Sequence, residues 1–517
     1  VSKGAIGTTI VSGSLASDID NFWFAVKEGA AVKPFDFVSV KNPEGRIIGI
    51  VDDLKVIPEG GSNSVTSYSE KGILVAKVAI LAHESFLSDM PVLPGKKVSL
   101  ANSKEAVFAL GIPKMANPIP AGIIQMTGGL QVPVSLDISY LAGPDTAHVN
   151  ASGISGNRKT TYLLFLLQSA YQRLSRQGAG LIIFNTKEQD LLQIDIKEDW
   201  KKFGRQDREF FDLLDLDTRP FSNVTYYLPR GSDGRPNSAV VPKNSMTYSY
   251  ELADIYDRLE LLFSHTSDAH YDSILSIVNY IAESWPVKDG TGNVSTWSDL
   301  ARFKGYPEEI VAHRSMLAHF AGHLQKFRKS TLFVDKRKTS IYLGEEMIAR
   351  IRSGHVCVID IAKLPTLEEQ ALVVGDIMRA VDEMHSARSK GASGAKYVLV
   401  FIDEINRFLP RPVPGTMMPA TAEQIMRTVI AGKSRSTVLF SAQQFKSTVN
   451  SALHENTGAH TFAKLGMTEL LMPEYSMIDE SVKRSIVRLN KGEIVMTHPA
   501  FRHPIKIVFP RPSFRRP

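Results

Sequence analysis

The rhythm of apolar and polar positions changes near residue 130. Before that point, short apolar runs at 35–40, 46–51, 72–78 and 97–100 stand between turn signals, Asn42-Pro-Glu-Gly45 and Pro58-Glu-Gly-Gly61 among them. Strands this short and this closely spaced predict a small N-terminal β-barrel over residues 1–125 rather than βαβ units. Residues 113–120 hold three prolines and few charges, and read as an extended strap leading out of the barrel.

Beyond the change, apolar runs at 147–150, 180–184, 224–228, 355–359, 397–402 and 437–441 alternate with amphipathic helical stretches. That alternation predicts an α/β fold, a parallel sheet covered by helices on both faces. Between residues 251 and 329 the strand signal fades: Ile255, Leu259, Leu262 and Phe263, then Ile274, Ile277, Val278 and Ile281, follow helical spacing. The expected organisation is therefore a core in two parts, 126–250 and 336–510, around a helical insertion at 251–335. Runs at 492–496 and 504–508 suit a closing strand hairpin, and 511–517 is a basic, proline-rich, extended C-terminal tail. No internal repeat is evident.

Composition narrows the class. The 517 residues are 43% hydrophobic and 22% charged, an ordinary globular balance with enough apolar material for more than one core. A net charge of +6 is small for this length, so any nucleic-acid contact would come from a local basic surface. The single cysteine, Cys357, excludes an intrachain disulfide and sits in an apolar run, as a small buried hydrophobe would. No stretch of about 18 apolar residues and no charged-then-apolar leader is seen, so the expectation is a cytoplasmic protein without a membrane span.

The most informative segment comprises Gly153, Ile154, Ser155, Gly156, Asn157, Arg158, Lys159, Thr160 and Thr161, after one apolar strand and before a helix-like run. A phosphate-binding loop needs glycines to turn backbone N–H groups inward, a lysine to reach the β and γ phosphates, and a Thr or Ser hydroxyl for Mg²⁺. Gly153, Gly156, Lys159 and Thr160 meet that spacing, whereas Arg158 stands where the pattern asks for glycine. Three outcomes are open: a working loop with the Arg158 side chain turned outward, weak nucleotide binding, or lost hydrolysis. The same glycines also suit an ordinary Gly/Ser turn, so the loop alone does not decide.

A second requirement of the same chemistry lies downstream. The apolar run 397–402 ends in Asp403 and Glu404, as a buried central strand would deliver acids to the carboxyl edge of a sheet. There Asp403 would hold Mg²⁺ and Glu404 would polarise the attacking water of ATP hydrolysis, although acids also simply cap helices. Residues 437–441 lead to Gln443 and Gln444, polar amides placed to sense a γ-phosphate. The loop and the acid pair together make nucleotide chemistry the better reading.

With these residues in view, the chain resembles the HerA branch of the HerA/FtsK ATPases along nearly its whole length. Leu141 to Gly156 is similar to that family's entry into its phosphate loop, Phe184 to Leu192 to the segment after its second strand, Ile402 to Phe408 to its acidic motif, and Ser441 to Phe445 to its sensor strand. The resemblance implies a RecA-like core carrying a helical insertion, preceded by a small β-barrel. It also implies a homohexamer, ATP and Mg²⁺ as cofactors, double-stranded DNA in a central channel, and a NurA-like nuclease or a defence effector as partner. Carried over, Lys159 and Thr160 bind phosphate and Mg²⁺, Asp403 supports the metal, Glu404 is the catalytic base and Gln443 the sensor. An interface arginine finger is expected before the sensor strand, where Arg427 and Arg435 stand and Arg435 is favoured. Arg158 and Gln444-Phe445 depart from the family pattern, the former bearing on turnover.

The leading expectation is thus a hexameric ATP-driven DNA translocase acting with a nuclease in DNA end processing or phage defence. Its rival is a nucleotide-binding scaffold with weak or no ATPase activity that organises an anti-phage effector, and Arg158 favours it. A membrane-anchored conjugative or partitioning pump lacks its membrane segment. His460, His498 and His503 have no metal-ligand spacing and read as surface or packing residues. Lys326, Arg328, Lys329, Lys336, Arg337 and Lys338 form a basic cluster that could face DNA or remain merely solvated.

Overall fold

Apolar runs long enough to be buried on both faces become the strands of the computed structural model, which describes residues 4–11, 15–43, 45–58, 72–84, 90–199, 201, 203–263, 271–289, 292–307, 314–327, 329–389 and 395–516. Glu44, residues 59–61 of the expected second turn, and Arg328 lie outside the described residues. The protein falls into two units: Val1–Ala170 with Phe203–Thr218 and Thr457–Pro512, and Tyr171–Lys202 with Arg219–Asn456 and Ser513–Pro517.

The first unit opens with a closed barrel of six strands, Gly7–Ile10, Asn21–Val26, Phe37–Asn42, Gly45–Pro58, Gly72–His83 and Lys97–Leu100. Closure leaves no strand edge exposed, and Phe22, Phe24, Val38, Val40, Val51, Val78 and Val98 fill its interior. Four of the six strands were visible in the sequence; the first two were not. One irregularity has a structural use. Val51 faces Val78 and Asp53 faces Lys77, so Asp52 is an extra residue bulged from the ladder. Asp52 accepts a hydrogen bond from Ser481 Oγ at 2.5 Å, and Arg484 Nη2 lies 3.3 Å from Asp53, which ties the barrel to the helix Glu480–Val487.

The strap expected over residues 113–120 is a strand only from Pro118: it leaves the 3₁₀ turn Ile112–Lys114 and enters the strand Pro118–Gln125, paired antiparallel with Gln131–Asp137. Prolines are tolerated here because Pro118 opens the strand and the ladder shifts register between Pro120 and Gly122. The sheet continues through Ile505–Val508, Glu493–Thr497 and Thr457–Phe462 to Ala147–Ser152, the last pair parallel. The closing hairpin read from the sequence is present as Glu493–Thr497 with Ile505–Val508.

The second unit is built on six parallel strands in the order Ser245–Tyr248, Val224–Pro229, Val356–Asp360, Ala179–Asn185, Tyr397–Ile402 and Thr437–Gln443. The last four are buried along their whole length, which explains their continuous apolar character. Leu367–Ser389 and Ala420–Arg435 are among the helices packed on them. The helical insertion comprises Leu252–Ile255, a 3₁₀ segment Tyr256–Phe263, Tyr271–Glu283, Trp297–Leu300 and Arg314–Phe327. It also holds a two-stranded ladder, Val287–Asp289 with Gly292–Val294, that the spacing did not suggest. Every one of Ile255, Leu259, Leu262, Phe263, Ile274, Ile277, Val278 and Ile281 is buried. Among the described residues no helix is long and apolar enough to cross a membrane.

Candidate functional site

In the first unit, the buried strand Ala147–Ser152 delivers the chain to Gly153. A Cβ at that position would stand 2.7 Å from Ala463 Cβ, so the turn passes only with glycine. Ile154 N–H donates to Lys464 O at 3.0 Å and fixes the start of the loop. Gly156 has φ +83° and Arg158 φ +63°, while Asn157 between them is not left-handed. An alternation of φ sign is the pattern from which anion-binding nests are built. The helix Lys159–Leu174 begins directly afterwards and adds its N-terminal N–H groups.

Ile154, Ser155 and Gly156 are exposed, Asn157, Arg158, Thr160 and Thr161 half-buried, and Lys159 buried. The Asn157 side chain donates to Ile154 O at 3.3 Å. Arg158 occupies a conformation that disfavours any side chain with a Cβ by about 1–2 kcal/mol. Its guanidinium lies against Gly492, where a Cβ would come within 3.3 Å of Nη1.

In the second unit, the polar residues gather at one edge. Asn185 pairs in register with Asp360, and Phe184 with Ile402, so Asn185, Asp360 and Asp403 end neighbouring strands at the carboxyl edge. Ile402 faces Ser441 on the next strand, whose last residue is the fully buried Gln443. Asp403 is 4% exposed, and Glu404 begins the following turn at φ +54°.

The sequence reading missed Lys187. Its Nζ lies 3.0 Å from Asp403 Oδ2 and 3.1 Å from Glu404 Oε1, bridging both acids. Although burial opposes its charge, the two carboxylates hold the Lys187 ammonium above its ordinary range. Arg407 Nη1 stands 3.7 Å from Glu404 Oε2 and Arg407 Nη2 donates to Gln370 at 2.6 Å. The turn carrying Lys187 is itself held: Asn185 Nδ2 donates to Glu188 O at 2.7 Å and to Asp360 Oδ1 at 2.8 Å. Ser238 Oγ donates to the other oxygen of Asp360. Burial raises the Asp360 carboxyl above its usual range, against these hydrogen bonds. A lysine just past a strand looks like a solvated residue in sequence; only adjacency of the strands Ala179–Asn185 and Tyr397–Ile402 reveals its partners.

The loop residues 153–161 are thus neighbours within one unit, and Asp403, Glu404 and Gln443 within the other. Arg435 is not brought to the acids. It ends the helix Ala420–Arg435 at the amino edge of its sheet and forms an ion pair with Asp382, whereas Arg427 is exposed on the same helix. In the basic cluster, Arg337 is tied to Asp254 and Glu251, while Lys326, Lys329, Lys336 and Lys338 are exposed. Of the histidines, His498 packs against Tyr140 and Phe501, His460 against Phe462, and His503 lies 3.5 Å from Asp52.

Taken separately, each unit carries donors of a kind a magnesium nucleotide uses: in the first, the positive-φ turn at Gly156–Arg158 suits phosphate oxygens and the Thr160 hydroxyl is a hard oxygen ligand, and in the second the Asp403 carboxylate is another. Among the described residues no group of three or more His, Cys, Asp or Glu could hold a metal alone. A divalent cation would therefore complete its shell with water and phosphate oxygens, as Mg²⁺ commonly does.

No protein-family model and no curated protein matches the chain. Among solved structures it is similar to the bacterial conjugative coupling protein TrwBdeltaN70 in its sulphate-bound trigonal form, at 12% identity and a TM-score of 0.43, over 72% of this chain and 88% of that one. The same coupling protein with the ATP analogue ADPNP gives 11% identity and 0.43 over 72% and 87%. The genome packaging NTPase B204 of Sulfolobus turreted icosahedral virus 2, bound to AMPPCP, is similar at 14% identity and 0.24, over 33% of this chain and 72% of that one.

Proposed function

We propose that the chain is an ATPase of the HerA/FtsK type, an ATP-driven motor that assembles as a homohexamer and moves double-stranded DNA. The observation that supports the nucleotide part is the alternation of φ sign at Gly156–Arg158, set between a buried strand and the helix opening at Lys159. In this reading the loop N–H groups and the Lys159 ammonium bind the β and γ phosphates. Bound Mg²⁺ supplies charge neutralisation on the phosphates. Thr160 and Asp403 would hold that ion, Glu404 orients and deprotonates water, and Gln443 senses the γ-phosphate. Arg435, by its position ahead of the sensor strand, is the proposed interface finger; leaving Asp382 is then part of its action, and Arg435→Ala is expected to remove turnover while sparing nucleotide binding.

The test is DNA-stimulated phosphate release. Turnover should vanish in Glu404→Gln with ATP binding retained, and binding should vanish in Lys159→Ala. A natural chain that folds and binds DNA yet releases no phosphate under any condition defeats the motor reading. Arg158 is the one observation favouring the second reading, a nucleotide-binding scaffold that organises a nuclease or other anti-phage effector.

A further inference from the structure

The four carboxylate oxygens of the acid pair are already engaged by the chain itself. Asp403 Oδ1 accepts the Glu404 N–H at 2.9 Å, and Asp403 Oδ2 accepts from Lys187 Nζ at 3.0 Å. Glu404 Oε1 faces the same ammonium at 3.1 Å, and Glu404 Oε2 faces Arg407 at 3.7 Å. The Lys187 ammonium thus stands between the two acids, against Asp403 Oδ2, where a hard cation held by that carboxylate would have to bind.

Lys187 is not a chance visitor from solvent. A surface lysine has several rotatable bonds and gains little from one exposed ion pair. Here its backbone is fixed at both ends of a short turn: Asp190 N–H donates to Lys187 O at 3.1 Å, and Leu191 N–H donates to Asn185 Oδ1 at 3.3 Å. Asn185 is fully buried and is anchored by Asp360, which is also fully buried. The ammonium is delivered to a carboxylate, Asp403, whose side chain is 5% exposed and so poorly screened by water.

We propose that Lys187 is a built-in counter-cation of the acid pair, and that divalent metal binds Asp403 only by displacing it. The proposal rests on the ATPase reading for its biological sense, because it makes metal capture conditional on the phosphates that help to pull the cation in. Without nucleotide the ammonium keeps Asp403 paired and Glu404 turned toward Lys187. Once displaced, the lysine is available to other anions, and Glu404 is released to water. Lys187 is in these terms a positioning residue for the metal and the base.

The experiment uses the full chain without nucleotide and Mn²⁺ as the probe, with free Mn²⁺ followed by electron paramagnetic resonance. Lys187→Met should tighten Mn²⁺ binding at least tenfold relative to the natural chain. Lys187→Arg should leave it weak, and Asp403→Asn added to Lys187→Met should abolish the gain. Lys187→Gln gives the same comparison should the Met variant fold poorly. Unchanged or weaker Mn²⁺ binding in both neutral variants overturns the proposal. Because nucleotide is absent, that result leaves the ATPase reading standing, and a chain without ATPase activity would leave the Mn²⁺ comparison interpretable.

Discussion

Arg158→Gly is the substitution whose outcome separates the readings most sharply. The natural residue sits at φ +63°, a left-handed conformation that costs about 1–2 kcal/mol for a residue with a Cβ. Glycine relieves that strain but enlarges the unfolded ensemble, at a cost of about 0.4–1 kcal/mol. The guanidinium contact with Gly492 is half-buried and adds little to the balance. A net gain of about 0.5 kcal/mol follows, or a rise in melting temperature of about 1–2 °C. If the contact with Gly492 keeps the guanidinium off the phosphates, affinity for Mg-ATP should change by less than about tenfold, under 1.4 kcal/mol. Urea titration and equilibrium binding of a fluorescent ATP analogue read the two numbers. Destabilisation beyond about 1 kcal/mol would mean that Arg158 anchors the Gly492 turn. ATPase activity that appears only in the glycine variant would refute the outward-turned reading and favour the scaffold.

Two further outcomes follow from the packing and the buried ionisable groups. Asp376 is fully buried and receives Arg258 Nη1 at 3.0 Å, Tyr342 OH at 3.0 Å and Tyr250 OH at 3.1 Å; Arg258→Leu strands that carboxyl and should cost about 3–5 kcal/mol by denaturant titration, with a loss below about 1 kcal/mol sinking the account. Burial depresses His454 and His498 to about 4. Each is neutral when folded and takes up its proton more readily when unfolded, so stability is complete above about pH 6.5 and falls toward pH 4 by roughly 3 kcal/mol per histidine. Calorimetry of His498→Phe across that window should show a shallower acid loss than the natural chain; an identical profile counts against the assignment.

Five of the six parallel strands of the second unit were legible because strands covered on both faces must be apolar throughout, as 397–402 and 180–184 are; Ser245–Tyr248, half-buried at three of its four residues, was not. The strand Thr457–Phe462 escaped for the opposite reason: Thr-Gly-Ala-His-Thr-Phe is polar or small along most of its length, and its burial comes from its neighbours Ala147–Ser152 and Glu493–Thr497. Pro118 and Pro120 concealed a strand because the bulge that accommodates them is a property of the pairing. At the candidate site, the loop glycines and the acids announce themselves by type and spacing. Lys187 does not, since its role depends on which strand lies beside Tyr397–Ile402, and order within a sheet is not written in local sequence.

The extra residue at Asp52 sets a phase in the barrel. In an unbroken ladder, consecutive side chains point to opposite faces, yet Asp52 and Asp53 both reach the helix Glu480–Val487 because the bulge rotates one of them round. Deleting a single residue between Val51 and Asp53 would preserve a six-stranded cylinder while unfastening it from that helix. The barrel is therefore clasped through a counting feature of its backbone, and its tolerance to insertions should be least where its strand is most irregular.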